Sequence, residues 1–173
     1  MLPRGVFVLG GAASGKSAWA ENLLDSSGLD LVYLATARAG DGETSAKIAL
    51  HRARRNTHWQ TVEEPLDVAS VLEKVGPDKP VLIDCATMWL SNQMMARADL
   101  DAVQATLLAA LARCAAPWVI VSNEIGHGIV PQNALAREFR EAQGRLNIAL
   151  AAEADLAVMV VAGLPVLLKG ALP

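Results

Sequence analysis

The stretch VFVLGGAASGKSAWAENLL, residues 6–24, constrains the fold of this chain more than any other. A run of four apolar residues leads into a glycine-rich turn that ends in Lys16-Ser17, and a helical pattern follows. Gly10, Gly15, Lys16 and Ser17 match the phosphate-binding motif G-x-x-x-x-G-K-[ST]. That motif needs a strand before it and a helix after it, because the turn's N–H groups and the helix N-terminus bind the phosphates together. The chain is therefore predicted to be an α/β protein that binds a nucleoside triphosphate.

The residues of this loop have separate predicted roles. Glycines let backbone N–H groups approach the phosphates, where a Cβ atom would obstruct them. Lys16 is expected to place its charge on the β and γ phosphates and to act in catalysis, and the Ser17 hydroxyl is expected to bind Mg²⁺. The predicted nucleotide-binding residues of the loop are Gly10, Gly11, Ala12, Ala13, Ser14, Gly15, Lys16 and Ser17.

Short apolar runs alternate with helical patterns along the rest of the chain. Continuously apolar strands are typical of a parallel sheet that is buried on both faces. The tail turns at Gly163 and Pro165 into one more apolar run, which predicts an antiparallel hairpin at the sheet edge. We expect one domain, residues 1–173, with a three-layer P-loop NTPase (RecA-like) fold. Strands are predicted at 5–10, 31–36, 80–85, 117–123 and 156–163, and helices near 15–26, 43–56, 65–75, 87–97, 100–115 and 132–153.

Composition excludes several classes of function. The formal net charge is −3 with no long run of one sign, which argues against a nucleic-acid partner. The chain has no run of eighteen apolar residues and no secretory signal, so we expect no membrane span and a cytoplasmic enzyme. Cys85 and Cys114 stand in apolar surroundings and are predicted to be buried thiols rather than a disulfide.

Acidic and amide side chains follow two of the predicted strands. Asp84 ends the run VLID, where a carboxylate could hold Mg²⁺ directly or through water; the alternative is a surface residue that caps the next helix. Asn123 and Glu124 end VIVSNE in the same way, with turn capping as their alternative. Ligands of open α/β sheets bind beyond the carboxyl ends of the strands, so we expect these side chains to face the nucleotide.

A basic segment at 43–59 is unusual for its single histidine among arginines. Lys47, His51 and Arg55 fall four residues apart, on one side of a predicted helix. A solvated helix face is one explanation. In a chain that binds a nucleotide, however, a neutral imidazole among guanidinium groups could attack a phosphate. His51 and His58 lack neighbouring ligands at recognised spacing, so no metal site is predicted there, and His58 is expected to be partly buried.

Four segments together resemble the bifunctional adenosylcobinamide kinase / adenosylcobinamide-phosphate guanylyltransferase family. They are YLAT (33–36), KIALHRARR (47–55), HWQTVE (58–63) and VSNEIGHGIVPQNALAREFREAQGRLNIALAAEAD (121–155). The resemblance implies that ATP or GTP phosphorylates adenosylcobinamide. GTP then transfers GMP to that phosphate, which yields adenosyl-GDP-cobinamide and pyrophosphate in cobalamin biosynthesis.

The resemblance also implies site residues and an assembly. The family carries GMP on a histidine that matches His51, although some members have two adjacent histidines where this chain has Leu50-His51. It implies a homo-oligomer, with a trimer favoured. The segment 123–131 is expected to form a mobile loop near the acceptor, because Gly126 and Gly128 permit unusual backbone angles there. Beyond the phosphate loop, the implied nucleotide contacts are Leu34, Ala35, Thr36, Arg52, Glu63 and Asp84, with Glu63 as a candidate for reading the guanine edge.

Two alternatives keep the phosphate loop and discard the histidine chemistry. One is a kinase of another small molecule, which would form ADP and no nucleotidyl-protein adduct. The other is a non-metabolic P-loop NTPase that switches or binds partners. The sequence contains no N-K-x-D motif for reading guanine, and its single short basic helix supports DNA binding poorly.

Overall fold

The computed structural model describes residues 2–37 and 57–173. The predicted helix at 43–56 lies outside the described residues. The strands are β1 (Gly5–Gly10), β2 (Leu31–Ala35), β3 (Trp59–Glu63), β4 (Val81–Asp84), β5 (Trp118–Asn123), β6 (Leu156–Val161) and β7 (Leu164–Lys169). The helices are α1 (Lys16–Asp25), α2 (Val68–Leu72), α3 (Ala86–Met95), α4 (Leu100–Arg113) and α5 (Ala134–Glu153).

The strands form one sheet in the order β3-β2-β4-β5-β1-β6-β7. Strands β1 to β6 pair in parallel, and β7 pairs antiparallel with β6, which confirms the predicted mostly parallel sheet and its C-terminal edge hairpin. Strand β5 lies between β1 and β4, so the strand that leads into the phosphate loop is two positions from the strand that ends in Asp84. Both ends lie on the same edge of the sheet.

Side chains pack on both faces of the sheet, as the continuously apolar strands predict. Phe7, Ile83 and Ile120 point to the face covered by α2 to α5. Their neighbours Val8 and Leu82 point to the other face, where α1 buries Ala20 and Leu24. Alternation of adjacent residues between the two faces follows from the two-residue period of a strand. The resulting helix–sheet–helix arrangement is the predicted three-layer architecture.

Strand β3 was not predicted, and its position explains why. It is an edge strand beside β2 in which only Trp59 is buried, so it lacks the apolar run that marks the central strands. The predicted helix at 65–75 is shorter than expected. It begins after Asp67, whose side chain accepts a hydrogen bond from the Ser70 N–H group at 3.2 Å, and ends at Leu72. Bonds from Ser70 lower the pKa of the Asp67 carboxyl below its usual value.

The apolar residues of helix α5, from Leu135 to Leu150, recur at helical spacing, which predicts that they share one buried face. Leu146 and Leu150 are fully buried, but Leu135 of the first turn is 63% exposed rather than facing the core. Glu141 and Arg145 approach to 3.9 Å across one turn, as their spacing predicts. No helix within the two described ranges is long and apolar enough to cross a membrane.

Candidate active site

The phosphate loop joins β1 to α1 with two residues at positive φ. Gly15 has φ +93°, a conformation that glycine adopts without the penalty that a Cβ would bring, and Ala13 has φ +55°. The Lys16 ammonium donates to the Gly11 carbonyl oxygen at 3.1 Å and therefore lies over the loop. A Cβ atom at Gly10 would lie 2.5 Å from Ser14 Oγ, so the first glycine of the motif is required by close packing. The turn thus has the shape that its sequence predicts.

The turn between β6 and β7 supports the phosphate loop from outside it. The Gly163 N–H donates to the Ser14 carbonyl oxygen at 2.8 Å. A Cβ atom at Gly15 would lie 3.0 Å from the Gly163 Cα, and Gly163 itself has φ +80°. The sequence predicts Gly163 as a turn residue but gives no sign of this contact, because the contact joins positions far apart in the chain.

Asp84 lies at the carboxyl end of β4, half-buried, at the same sheet edge as the phosphate loop. Its Oδ2 accepts a hydrogen bond from the Tyr33 hydroxyl at 3.1 Å. The Tyr33 ring meets the Trp59 ring edge-on, with centroids 6.2 Å apart. Tyr33 therefore orients the carboxylate from the neighbouring strand, a role that the sequence analysis missed.

Thr36 fixes the backbone immediately after Asp84. Its hydroxyl donates to the Cys85 carbonyl oxygen at 2.7 Å and accepts from the Cys85 N–H at 2.8 Å, and its own N–H donates to the Asp84 carbonyl oxygen at 3.1 Å. Asn92 donates to the Thr36 carbonyl oxygen at 2.8 Å. The Thr36 and Leu34 side chains are fully buried and Ala35 nearly so. Their assignment as nucleotide contacts stays a prediction.

The two cysteines are free thiols and buried, as predicted. Burial, together with the nearby Asp84 charge, raises the pKa of Cys85 to about 12, while Lys16 acts in the opposite direction. Burial also raises the pKa of Cys114. Neither thiol is suited to act as a nucleophile near neutral pH.

The end of β5 lies beside the phosphate loop. Asn123 is in register with Gly10, and the Glu124 N–H donates to the Gly10 carbonyl oxygen at 3.0 Å. The Asn123 N–H donates to the Thr87 hydroxyl oxygen at 2.8 Å. Glu124 also accepts from the Gly126 N–H, so it caps the turn as well. The capping alternative therefore holds for Glu124, and the expectation that its side chain faces the nucleotide stays a prediction.

A buried polar network beneath this point was missed by the sequence analysis. Ser122 Oγ donates to Asn147 Oδ1 at 2.6 Å, and Gln143 Nε2 donates to both Ser122 Oγ and Asn147 Oδ1, at 3.0 and 2.9 Å. Asn147 Nδ2 donates to the Asn123 carbonyl oxygen at 3.2 Å. Gln143 and Asn147 are one turn apart beside the apolar positions of α5, and that spacing was the available signal.

Four further residues singled out in the sequence are Glu63, His58, His51 and Arg52, and the structure describes the first two. Glu63 ends β3 in register with Ala35, which is itself in register with Asp84, so both carboxylates lie at one sheet edge. His58 is exposed, not partly buried as predicted, and its Nδ1 lies 3.2 Å from Asp30 Oδ1. His51 and Arg52 lie outside the described residues. Among the residues that the structure describes, no group of three or more His, Cys, Asp or Glu could hold a metal.

The sequence of this chain matches a known protein family over nearly its whole length. A family model described as "Cobinamide kinase / cobinamide phosphate guanyltransferase" matches residues 6–168. The chain is similar to the bifunctional adenosylcobalamin biosynthesis protein CobP of Pseudomonas aeruginosa, with 44% identity over 94% of this chain and 96% of that protein. It is also 39% identical to the bifunctional adenosylcobalamin biosynthesis protein CobU of Salmonella typhimurium, over 95% of this chain and 99% of that protein.

Solved structures show the same fold at low identity. The assembled ATPase EscN of the enteropathogenic E. coli type III secretion system superposes with a TM-score of 0.57 at 12% identity, over 92% of this chain and 43% of that one. This likeness supports the P-loop NTPase fold and carries no information about the reaction. The family match and the close relatives cover nearly the whole chain. The chain therefore belongs to the cobinamide kinase / cobinamide phosphate guanyltransferase family and is a bifunctional enzyme of adenosylcobalamin biosynthesis with both activities.

Proposed function

We propose that both reactions take place at one site, built from the phosphate loop and the carboxyl ends of the neighbouring strands. The observation that carries the proposal is that β1, β4 and β3 bring Lys16, Asp84 and Glu63 to the same sheet edge. The loop would hold the triphosphate through backbone N–H groups and the Lys16 ammonium. Glu63 would read the guanine edge. The whole chain, 1–173, would act as one domain.

The donor set at this edge fits Mg²⁺. Mg²⁺ is usually bound through one or two carboxylates together with substrate phosphates and water, rather than by a cage of protein ligands. Asp84 and the Ser17 hydroxyl would supply such ligands, with Tyr33 orienting the carboxylate. An ion held by these residues would neutralise negative charge on the triphosphate. Lys16 would then stabilise the negative charge that develops as the acceptor hydroxyl takes the γ-phosphoryl group.

For the second reaction we propose that His51 carries GMP. A neutral imidazole nitrogen would attack the α-phosphorus of GTP, forming a P–N bond while the bond to the bridging oxygen breaks and pyrophosphate leaves. An oxygen of the cobinamide phosphate would then attack the same phosphorus and displace the imidazole. Arg52 beside His51 would offer charge to the α-phosphate. The support is the sequence match to the family over this segment.

Incubation with α-³²P-GTP and Mg²⁺ tests the intermediate. Wild-type chain should become labelled through an acid-labile, alkali-stable bond, and His51→Ala should abolish the label. His58→Ala is the matched control, because His58 is an exposed histidine whose Nδ1 lies 3.2 Å from Asp30 Oδ1. Labelling of His51→Ala at the wild-type level would refute the assignment.

The role of Lys16 is tested in the first reaction. Lys16→Ala should lower the rate of adenosylcobinamide phosphorylation by at least about a hundredfold, the usual loss when a group that stabilises transition-state charge is removed. Lys79→Ala is the control, since Lys79 is exposed in the turn before β4, at the opposite edge of the sheet. Full activity in Lys16→Ala would contradict the proposal.

We also propose a homo-oligomer, with a trimer favoured, in the cytoplasm. Strand β7 supports the first point, because it is an edge strand with large apolar side chains exposed, among them Leu164, Val166, Leu167 and Leu168. Exposed apolar edge strands are usually covered by a partner. The cytoplasm is proposed because both reactions consume nucleoside triphosphates. Light scattering on the purified chain would test the assembly, and a monomer would contradict it.

A further inference from the structure

The loop after β5 is held in place by two arginines of α5. The Arg140 guanidinium donates to the carbonyl oxygens of Gly126, Gly128 and Ile129, the last two at 3.4 and 3.3 Å. Arg137 donates to the carbonyl oxygens of residues 131 and 132 at 2.9 and 2.7 Å. Five of the seven carbonyl groups from residue 126 to residue 132 accept hydrogen bonds from the helix that follows the loop, and the expected mobility of the loop stays a prediction.

The base of this loop is fixed at the nucleotide edge. Asn147 and Thr87 bind the carbonyl and N–H groups of Asn123, and the Glu124 N–H donates to the Gly10 carbonyl oxygen at 3.0 Å. The loop therefore rises directly beside the phosphate loop. Helix α5 contacts the loop at two heights, because it supplies Asn147 at the base and the two arginines above.

The loop carries two adjacent aliphatic side chains that contact little of the protein. Ile129 is 97% exposed and Val130 is 66% exposed. We call these two residues the apolar tip. Single exposed aliphatic residues are ordinary on protein surfaces. Here, two stand together on a segment held by several hydrogen bonds, at the edge where ligands of α/β sheets bind. A mere connection between β5 and α5 would require neither the arginine contacts nor the apolar tip.

We propose that the apolar tip is a docking contact for the corrin ring of the acceptor. The inference rests on the proposed function, in which the acceptor's hydroxyl and later its phosphate reach the nucleotide in the phosphate loop. The corrin is a broad macrocycle whose periphery bears methyl groups and amide side chains. It is too large to enter beside the triphosphate, so it must lie over the rim of this sheet edge. Ile129 and Val130 project from that rim and would cover part of the methyl-bearing periphery.

A second copy of the chain is the competing occupant, and the structure favours another surface for it. Strand β7 exposes a longer continuous apolar surface at the edge of the sheet, including Leu164 and Leu168. The apolar tip has only two side chains, less than a stable protein interface needs. It is continuous with the nucleotide site instead, through the contact between Glu124 and Gly10.

The double variant Ile129→Ser/Val130→Ser tests the proposal in the phosphorylation reaction at saturating GTP. We expect KM for adenosylcobinamide to rise about tenfold, as for the loss of part of two aliphatic contacts. The value of kcat should stay within about twofold, because the lost binding is shared by ground and transition states. GTP affinity, measured by calorimetry without acceptor, should be unchanged. Ile148→Ser is the control, since Ile148 is an aliphatic residue that is 73% exposed and belongs to α5 rather than to the loop.

Arg140→Lys provides a second variant that leaves the apolar tip intact. Lysine keeps the charge but lacks the planar fork that reaches several carbonyls at once. We expect faster hydrogen exchange of the loop amides together with a raised KM for the acceptor. An unchanged acceptor KM in the double variant would overturn the docking contact, as would a change in oligomer mass, which would assign the tip to a second copy. Absence of phosphorylated product with the wild-type chain would overturn the proposed function itself.

Discussion

Replacement of Thr36 by valine removes one hydroxyl group from the buried centre of the site while keeping the shape of the side chain. The hydroxyl makes two hydrogen bonds to Cys85, at 2.7 and 2.8 Å. The Cys85 carbonyl oxygen keeps a second donor, the Trp89 N–H at 3.1 Å, so only the Cys85 N–H loses the partner that Thr36 supplies. A buried donor left unpaired costs about 1–3 kcal/mol, and the other lost bond adds about 1 kcal/mol.

The expected loss in the free energy of unfolding is therefore about 2–4 kcal/mol, which lowers the melting temperature by about 5–15 °C in a chain of this size. Urea denaturation followed by circular dichroism measures it. Thr36→Ser is the matched control, since it keeps the hydroxyl and loses only a methyl group, at a cost of about 1 kcal/mol.

The same variant should also weaken nucleotide binding, because Thr36 holds the residue next to Asp84. Stabilisation by GTP and Mg²⁺ grows with the ratio of ligand concentration to Kd, so the shift in melting temperature on adding GTP should be smaller in Thr36→Val than in Thr36→Ser. If Thr36→Val proves as stable as Thr36→Ser, the Thr36 hydroxyl does not hold the Cys85 backbone in place as inferred here (the Thr36 clamp).

Three further predictions follow from single contacts. Between pH 9 and about 12, the Cys85 thiol ionises in the unfolded chain and stays protonated in the folded one. The free energy of unfolding should therefore fall by about 1.4 kcal/mol per pH unit relative to that of Cys85→Ala. Parallel pH profiles of the two unfolding free energies would contradict this. Tyr33→Phe removes the hydrogen bond to Asp84 and should weaken nucleotide-dependent Mn²⁺ binding about tenfold, measured by electron paramagnetic resonance; unchanged binding would argue against Asp84 as a metal ligand. Gly163→Ala and Gly28→Ala both place a Cβ at positive φ, which should lower the free energy of unfolding by about 1–2 kcal/mol in each variant. Of the two, Gly163→Ala alone should lower GTP affinity, because Gly163 contacts the phosphate loop. Equal GTP affinities of the two variants would refute that role.

The phosphate loop and the central strands show how much of the fold can be predicted. The phosphate loop, its flanking strand and helix, and the buried strands β4 and β5 follow from short patterns of residue type. Such patterns report local geometry and burial, which is why the predicted boundaries lie close to the observed ones. Strand β3 escaped prediction because its pairing with β2, rather than its own hydrophobicity, makes it a strand.

The candidate site, too, could be predicted only in part. Lys16 and Asp84 could be identified from the sequence, because each belongs to a motif or strand end whose chemistry is readable within a few residues. The Thr36 clamp on Cys85 and the arginines that hold the loop at 126–132 could not, since hydrogen bonds between distant positions leave no periodic signal.

By itself the sequence determined the nucleotide-binding loop, the α/β layering and the family. Only the tertiary structure decided what supports that loop and orients Asp84: the turn at Gly163 and the hydroxyls of Tyr33 and Thr36. The physical reason is the range of the interactions. Hydrophobic periodicity and backbone preference act within one element, whereas a hydrogen-bonded site requires groups from separate strands to meet at one edge of a folded sheet.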